Sequence, residues 1–462
     1  MNVERPNSPG ARDAQQILHS FTNCRTLESD GALVIERGKG IYVYDDAGKE
    51  YIEALAGLWS VAVGFGEKRL VDAATAQLNK LPYYHTFAQK SNNPMVELSD
   101  RLLRLAPRPF SRVFFTNSGS EANDTVLKLV WYYNNARGRP EKKKIISRLN
   151  AYHGSTIGSG SMTGIPRNHV DFDLPIANIL HAACPHHYRF GLDGESEAAF
   201  TERLIDEFER MVIDEGPETV AAFIGEPVMA SGGVFVPPEG YWPGIQSVCR
   251  KYDILVIADE VITGFGRTGT MFASELFGIE PDILVVSKQL TSSYIPMGAL
   301  MISDELYQGI ADNSAEIGVL AHGITTSGHP VAAAVANECL SIIEEKGLVE
   351  NAAKSGRRLL AGLQRFADHP LVGEIRGVGL IAAVEFVRDK QSKAEFEKKG
   401  AIGLKFFEFG HNHGLIVRNI FDSIALCPPL IISEAEVDEL LARFERTLED
   451  THAFARANGH MD

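Results

Sequence analysis

Asp259 and Lys288 are the two side chains of this 462-residue chain whose placement most suggests joint chemistry. Each follows an apolar run, ILVIA (254–258) before Asp259-Glu260 and ILVV (283–286) before Ser287-Lys288. Short, continuous apolar runs read as strands buried on both faces of a parallel sheet. Ligands of open α/β sheets sit outside the carboxyl ends of the strands. A carboxylate and an amine delivered to one such edge form either a structural ion pair or a charged partner and a nucleophile.

Smaller motifs bear on that choice. TNSGSEA (116–122) is a strand end, a small-residue turn and a helix start. Ser118, Gly119 and Ser120 there offer hydroxyls and open backbone N–H groups to an anion at a helix N-terminus, or Ser simply caps the helix. In AYHGST (151–156), Tyr152 could face a flat ligand, with His153 beside it and Gly154 allowing close backbone approach. The alternative is a tyrosine closing a core edge. HGITTSGHP (322–330) groups Thr325, Thr326, Ser327 and Gly328 before a helix, either an anion contact or a capping turn. GFGRTG (264–269) formally matches a dinucleotide loop. Its strand places Asp259-Glu260 where a pyrophosphate needs positive potential, so it reads as a glycine-rich linker.

The elements that must carry these motifs alternate. Strand VFFT, helix EANDTVLKLVWYYNNARG, strands KIISRL and AAFIGEPV, helix YWPGIQSVCRKY, the two apolar runs and GALMIS succeed one another. That order predicts a mostly parallel sheet with helices on both faces. Before it, ALVIERG, IYVYD and DDAGKEYIEA read as an antiparallel meander. After it, a long helix from Pro330 leads to a second α+β region, against which the small meander should pack. The expected division is 1–66 (arm and meander, part of the small domain), 67–328 (large cofactor-binding domain) and 329–462 (C-terminal small domain).

Composition is that of a globular protein, 45% hydrophobic and 23% charged. A net charge of −15 argues against nucleic-acid and anionic-membrane partners. No apolar stretch approaches a membrane span. The first sixteen residues are polar, without the apolar core of a secretory signal, and read as a loose arm. Five scattered cysteines without a CxxC pair suggest a reducing, cytoplasmic setting. His181, Cys184, His186 and His187 crowd together in HAACPHHY at no standard metal spacing, so this stretch is expected to be a surface loop, and no metal is expected.

Together an aromatic plate, a phosphate cradle, a carboxylate and a lysine at strand ends assemble the chemistry of pyridoxal 5'-phosphate. The ordered set GLWSVAVGFG, FFTNSGSEAND, YHGST, GEPV, IADEVITGFGRTG, SKQLTSSYIPMGA and HGITTSGHPVA resembles the class III aminotransferases of fold type I, and within them the amine or ω-amino-acid:pyruvate branch. The resemblance runs from about residue 18 to 445. It implies the α/β fold of type I transferases, with a small α+β domain built from both termini. It also implies a ping-pong transfer of an amino group to a keto acid such as pyruvate, and a homodimer with shared active sites or a tetramer of such chains. Aminomutase, decarboxylase and diamine or 4-aminobutyrate transaminase activities share the fold. A nucleotide-dependent dehydrogenase and a non-catalytic descendant are the rival readings from other classes.

Residue by residue, the resemblance makes Lys288 the Schiff-base lysine, Asp259 the partner of the pyridinium nitrogen, Val261 and Tyr152 the two faces of the ring site, and Ser118, Gly119 and Ser120 the phosphate loop. Thr325 matches a threonine that reaches the neighbouring subunit's phosphate, and Glu226 a glutamate near the cofactor. Phe21, Trp59, Phe87, Tyr152 and Ser231 match substrate-pocket positions, and Arg418 a mobile arginine that pairs with a substrate carboxylate. Two departures stand out. The family's GLWCVNVGYG is GLWSVAVGFG here, which removes a cysteine, an asparagine and a tyrosine hydroxyl near the pocket floor, and Asn419-Ile420-Phe421 adds bulk after the arginine.

Overall fold

The computed structural model describes residues 8–461. The expected loose arm lies partly outside them; its second half is a helix, Pro9–Gln16, capped by the Ser8 side chain. A short helix that sequence periodicity did not reveal, Cys24–Asp30, follows it.

The meander forms as expected, with β1 (Ile35–Lys39), β2 (Tyr42–Asp45) and β3 (Glu50–Glu53) pairing antiparallel in sequence. Its fourth strand comes from the other end of the chain: Leu415–Ile416 runs parallel to β3.

The central sheet holds seven strands: β4 (Arg112–Thr116), β5 (Lys144–Arg148), β6 (Ile179–Ala182), β7 (Val220–Gly225), β8 (Leu255–Asp259), β9 (Ile283–Val286) and β10 (Gly298–Ile302). Their order is β4-β10-β9-β8-β7-β5-β6. Only β10 runs against its neighbours; the β8–β9, β7–β8, β5–β7 and β5–β6 pairings are parallel. The carboxyl ends of β4, β5, β7, β8 and β9 therefore share one edge.

Burial on both faces accounts for the apolar runs. Gly119–Ala136 buries Val126 and Val130 against Ile224, Ile257 and Val285 on one face. Glu197–Glu215 and Tyr241–Lys251 bury Phe200, Phe208 and Trp242 against Phe223 and Val256 on the other. Burial of this kind contributes about 25 cal/mol per Å² of apolar surface removed from water.

Strand β6 corrects one expectation. HAACPHHY is not a surface loop: His181 and Ala182 lie in β6, and Cys184 and His186 are buried. An edge strand of four residues running into Cys-Pro carries too little periodicity to stand out. The four side chains do not converge. His181 tilts toward His169, His186 Nε2 lies 2.8 Å from Glu374 Oε2, and His187 Nε2 lies 2.8 Å from the Glu195 carbonyl.

The remaining sheet contains β11 (Val372–Val378) and β12 (Ile381–Phe386). With the meander's partner numbered β13, GLIVRNI continues as β14 (Arg418–Ile420), which pairs with β15 (Ser423–Leu426). GLIVRNI (414–420), one apolar run in the sequence, thus divides at Val417 and serves two sheets. GFGRTG is a linker in the β8–β9 crossover. Arg267 in it is fully buried and donates through Nη1 to the carbonyls of Leu380 and Pro428.

Candidate active site

The shared edge surrounds a cavity of about 280 Å³. Ser118, Gly119 and Ser120 line it after β4, Tyr152, His153 and Gly154 after β5, Glu226 after β7, Asp259 and Val261 at β8, and Lys288 after β9. Phe21, Trp59, Ser231 and Arg418, also expected there, line it as well.

Lys288 opens a one-turn 3₁₀ segment and has φ +43°, the left-handed region that side chains rarely occupy. Held strain of this kind clusters at functional sites. Among the described residues its ammonium finds no hydrogen-bond or salt-bridge partner, and burial pushes its pKa down to about 8 against the upward pull of Asp259 and Glu226. The two poles are thus held apart within one cavity rather than joined as an ion pair.

Asp259 is locked from behind. Asn123 Nδ2 donates to its Oδ2 at 2.8 Å and to the His153 carbonyl at 2.7 Å. His153 Nδ1 lies 2.8 Å from the same Oδ2, and facing a carboxylate it acts as the donor. Among the described residues Oδ1 accepts one bond, from the Val261 N–H at 3.1 Å, which leaves it acceptor capacity toward the cavity. Asn123 was missed in the sequence; a polar residue on the buried face of an otherwise apolar helix was its one signal.

In the serine turn the capping contact forms. Ser118 Oγ caps its helix by accepting the Glu121 N–H at 3.2 Å, and Ser120 Oγ accepts the Ser155 N–H at 3.2 Å. A Cβ on Gly119 would lie 3.0 Å from Val261 Cγ2, so a larger residue there would crowd Val261. The turn opens an 18-residue helix, so its macrodipole favours an anion at this edge. Glu226 is buried, accepts the Tyr152 and Ala230 N–H groups at 3.0 and 3.2 Å, and burial pushes its carboxyl up.

Trp59 rides on a tight turn in which Ala56, Gly57 and Trp59 all have positive φ. Glu53, buried and raised by burial to about 7, holds that turn by accepting the N–H groups of Leu55 and Gly57. Leu58 and Trp59 face the cavity, whereas Phe65 packs on Gly38 of β1, away from it. None of Ser60, Ala62 and Phe65, the departures within GLWSVAVGFG, lines the cavity. Ile165, Arg167 and Asn168 do line it and were not anticipated. They enter through an irregular turn with no periodicity to read.

Two expected residues lie elsewhere. Phe87 and Thr325 are exposed and close to one another, as the Tyr83 hydroxyl donates to the Thr325 carbonyl at 2.7 Å and Gly323 sits against the Phe87 ring. The Thr326 hydroxyl donates to Asn117 Oδ1 at 2.9 Å, next to the serine turn.

This donor set fits pyridoxal phosphate: an unpartnered amine, a braced carboxylate with spare acceptor capacity, an anion cradle, and Val261 and Tyr152 as flanking surfaces. Comparison with known proteins agrees. Residues 26–448 match the family Aminotransferase class-III. A probable gamma-aminobutyrate transaminase 3, mitochondrial, of Oryza sativa subsp. indica is 49% identical over 420 residues, covering 91% of this chain and 82% of that one. Gamma aminobutyrate transaminase 1, mitochondrial, of Solanum lycopersicum is 48% identical over the same shares, 91% and 82%. The omega transaminase of Pseudomonas jessenii in complex with PMP superposes with a TM-score of 0.96 at 59% identity, over 97% of this chain and 99% of that one. Fold, site and relatives agree, and this chain belongs to the class III aminotransferases, enzymes that use pyridoxal 5'-phosphate.

Proposed function

We propose that this enzyme moves an amino group from an amine or ω-amino acid to pyruvate, releasing alanine, by two half-reactions at the cavity between Asp259 and Lys288. When bound, the cofactor supplies an aldehyde that condenses with amines and a ring that accepts the electrons of the broken C–H bond. Lys288 Nζ would anchor it and, once freed by the incoming amine, would carry the proton leaving the donor carbon. Asp259 would pair with the ring nitrogen, Ser118–Ser120 would hold the phosphate, and Val261 and Tyr152 would flank the ring. Glu226 holds the Tyr152 backbone in place.

The observation that carries the substrate reading is the wall. Phe21, Leu58, Trp59, Ile165 and Ile262 give the donor side an apolar surface, with Arg418 as a carboxylate partner. A second reading, 4-aminobutyrate transaminase, is favoured by what the plant relatives are called. Half-reactions separate the two. Loss of cofactor absorbance is followed with 1-phenylethylamine, β-alanine, taurine, putrescine, 4-aminobutyrate and glutamate, then its return with pyruvate. Reaction with 4-aminobutyrate or glutamate alone would overturn the proposal. Arg418→Ala should lower kcat/KM for pyruvate by about a hundredfold, the worth of a bidentate charged pair, and by far less for 1-phenylethylamine. Equal losses would remove Arg418 from the pocket.

The exposed Phe87 and Thr325 fit a homodimer in which each subunit completes the other's cavity, and the apolar Tyr83 and Tyr84 beside them suit burial between copies. Sedimentation should give a species of twice the chain's 50.6 kDa or a multiple of that. A fully active monomer would refute the shared site. Five unpaired cysteines support a reducing compartment, the cytoplasm. No helix among the described residues is long and apolar enough to cross a membrane.

A further inference from the structure

Glu53 is a buried acid, 4% exposed, that the proposed chemistry does not use. It ends β3, just before the turn that carries Trp59. The chain is pinned on both sides of that turn. Before it, the Glu53 and Ala54 N–H groups donate to the carbonyls of Ile41 and Ile416, each at 2.9 Å. After it, the Ala62 carbonyl accepts the Leu430 N–H at 2.8 Å, and the Val63 N–H donates to Ser292 Oγ at 3.2 Å. Between these anchors Ala56, Gly57 and Trp59 have φ of +51°, +70° and +64°. Backbone of this kind persists only where its surroundings over-determine it.

The Glu53 side chain supplies that constraint. Its Oε1 accepts the Leu55 N–H at 3.0 Å and its Oε2 accepts the Gly57 N–H. Two oxygens that each accept a backbone N–H are the pattern of an ionised carboxylate; a proton on either one turns that acceptor into a donor. Burial raises the carboxyl to about 7, so both forms are reached near neutrality. Charging a buried acid lowers overall stability as pH rises through that value, yet the charged form is the one that makes both bonds. Beside Glu53 stand Ile41, ahead of β2, and Ile416 of β13, both apolar. The titratable group that faces it is the Cys427 thiol after β15, on which Arg267 and Lys288 also bear; burial pushes that thiol up to about 11 and keeps it neutral. What the turn delivers is Trp59, 1% exposed, packed with Val228, Ala230, Ile262 and Ile420 and lining the donor side of the cavity.

We infer that Glu53 is a positioning residue for amine size: bound to the Leu55 and Gly57 N–H groups it holds Trp59 as a rigid wall, and on taking up a proton it lets that wall yield to bulkier donors. This rests on the proposed amine-donor reading of the cavity and adds to it a control on which donors fit. Glu53 touches neither substrate nor cofactor and acts through the backbone of the turn. With both bonds made, the indole stays where it crowds a large donor group. With one bond lost, the positive-φ turn relaxes between its two anchors and the indole moves with it.

The test uses holoenzyme, wild type and Glu53→Gln, with two readouts. The first is the ratio of kcat/KM for 1-(1-naphthyl)ethylamine to that for 1-phenylethylamine between about pH 6 and 8, the range that brackets the Glu53 carboxyl. Both amines are ammonium ions throughout, so their own ionisation and that of Lys288 cancel in the ratio. In wild type the ratio should rise as pH falls through 7. Glu53→Gln, whose amide nitrogen cannot accept an N–H, should raise it about tenfold at pH 8, the lower end of what one pocket contact decides between homologous substrates, and should remove its pH dependence. The second readout needs no turnover: amide hydrogen exchange of residues 54–60, corrected for the intrinsic effect of pH. Protection there should fall below pH 7 in wild type and be low at every pH in Glu53→Gln. A wild-type ratio that stays flat, or exchange over 54–60 indifferent to pH and to the substitution, would overturn the inference, and the wild-type profiles decide it even where Glu53→Gln folds poorly. Exchange that responds as expected in an enzyme that reacts with neither amine would instead overturn the proposed donor class and leave Glu53 as the latch of the turn.

Discussion

Lys288→Ala is expected to slow both half-reactions by about 10⁴-fold, the upper range for removing a positioned proton-transfer group. The expectation follows from what Lys288 lacks. Its amine is half-buried in the cavity and, among the described residues, has no hydrogen-bond partner, although Asp259 and Glu226 line the same space. Cofactor should still bind, since Ser118–Ser120 and Asp259 remain, but borohydride reduction should no longer fix it to the chain. The pH profile tests the same group independently. The amine's ordinary pKa of 10.5 is pushed down to about 8. Below pH 8 the amine increasingly holds a proton and cannot accept one, so the single-turnover rate with pyruvate should fall about tenfold per pH unit. Above it the rate should level off. A Lys288→Ala variant within tenfold of wild type, or a flat profile between pH 6 and 8, would remove Lys288 from the proton transfer.

Much of this site was legible because a parallel sheet writes itself in the sequence. Buried strands are continuous apolar runs, and the residue at which each run turns polar is the residue that reaches the ligand edge. That rule alone located Asp259 and Lys288, and the small-residue turns after β4 and β5 line the same cavity. What stayed hidden reached the cavity by other routes. Arg167 and Asn168 come on a turn without periodicity, and Asn123 stands behind Asp259 on a helix that otherwise reads as packing. Leu415–Ile416 and Arg418–Ile420 looked like one strand because the division at Val417 keeps the apolar pattern and changes only the partner sheet.

The departures show the same limit from another side. Ser60, Ala62 and Phe65 fall inside a motif whose neighbours Leu58 and Trp59 face the cavity, yet three positive-φ residues in one turn send the chain away from it immediately afterwards. Phe421 lies outside every quoted motif, yet it seats a cation at the cavity mouth. Proximity in sequence to a site residue is a poor guide where the backbone turns sharply, and contact across elements has no sequence signature.

Asp259→Asn is the second large effect. The substitution is nearly isosteric and should leave the fold intact, but it removes the charge proposed to pair with the ring nitrogen. An oriented charged partner in a site shielded from water is worth about a thousandfold in rate. The rate of each half-reaction, normalised to bound cofactor, should therefore fall by that order. The bracing residues behind Asp259 give a graded control. Asn123→Ala removes one bond to Oδ2 and one to the His153 carbonyl while leaving the charge, so its effect should be about tenfold. The order Asp259→Asn far below Asn123→Ala follows if the carboxylate acts on the cofactor and Asn123 acts only through the carboxylate. If both variants lose the same factor, Asp259 serves as one more structural hydrogen-bond acceptor. If Asp259→Asn keeps full cofactor and the wild-type rate, the charge at the end of β8 plays no part in the chemistry.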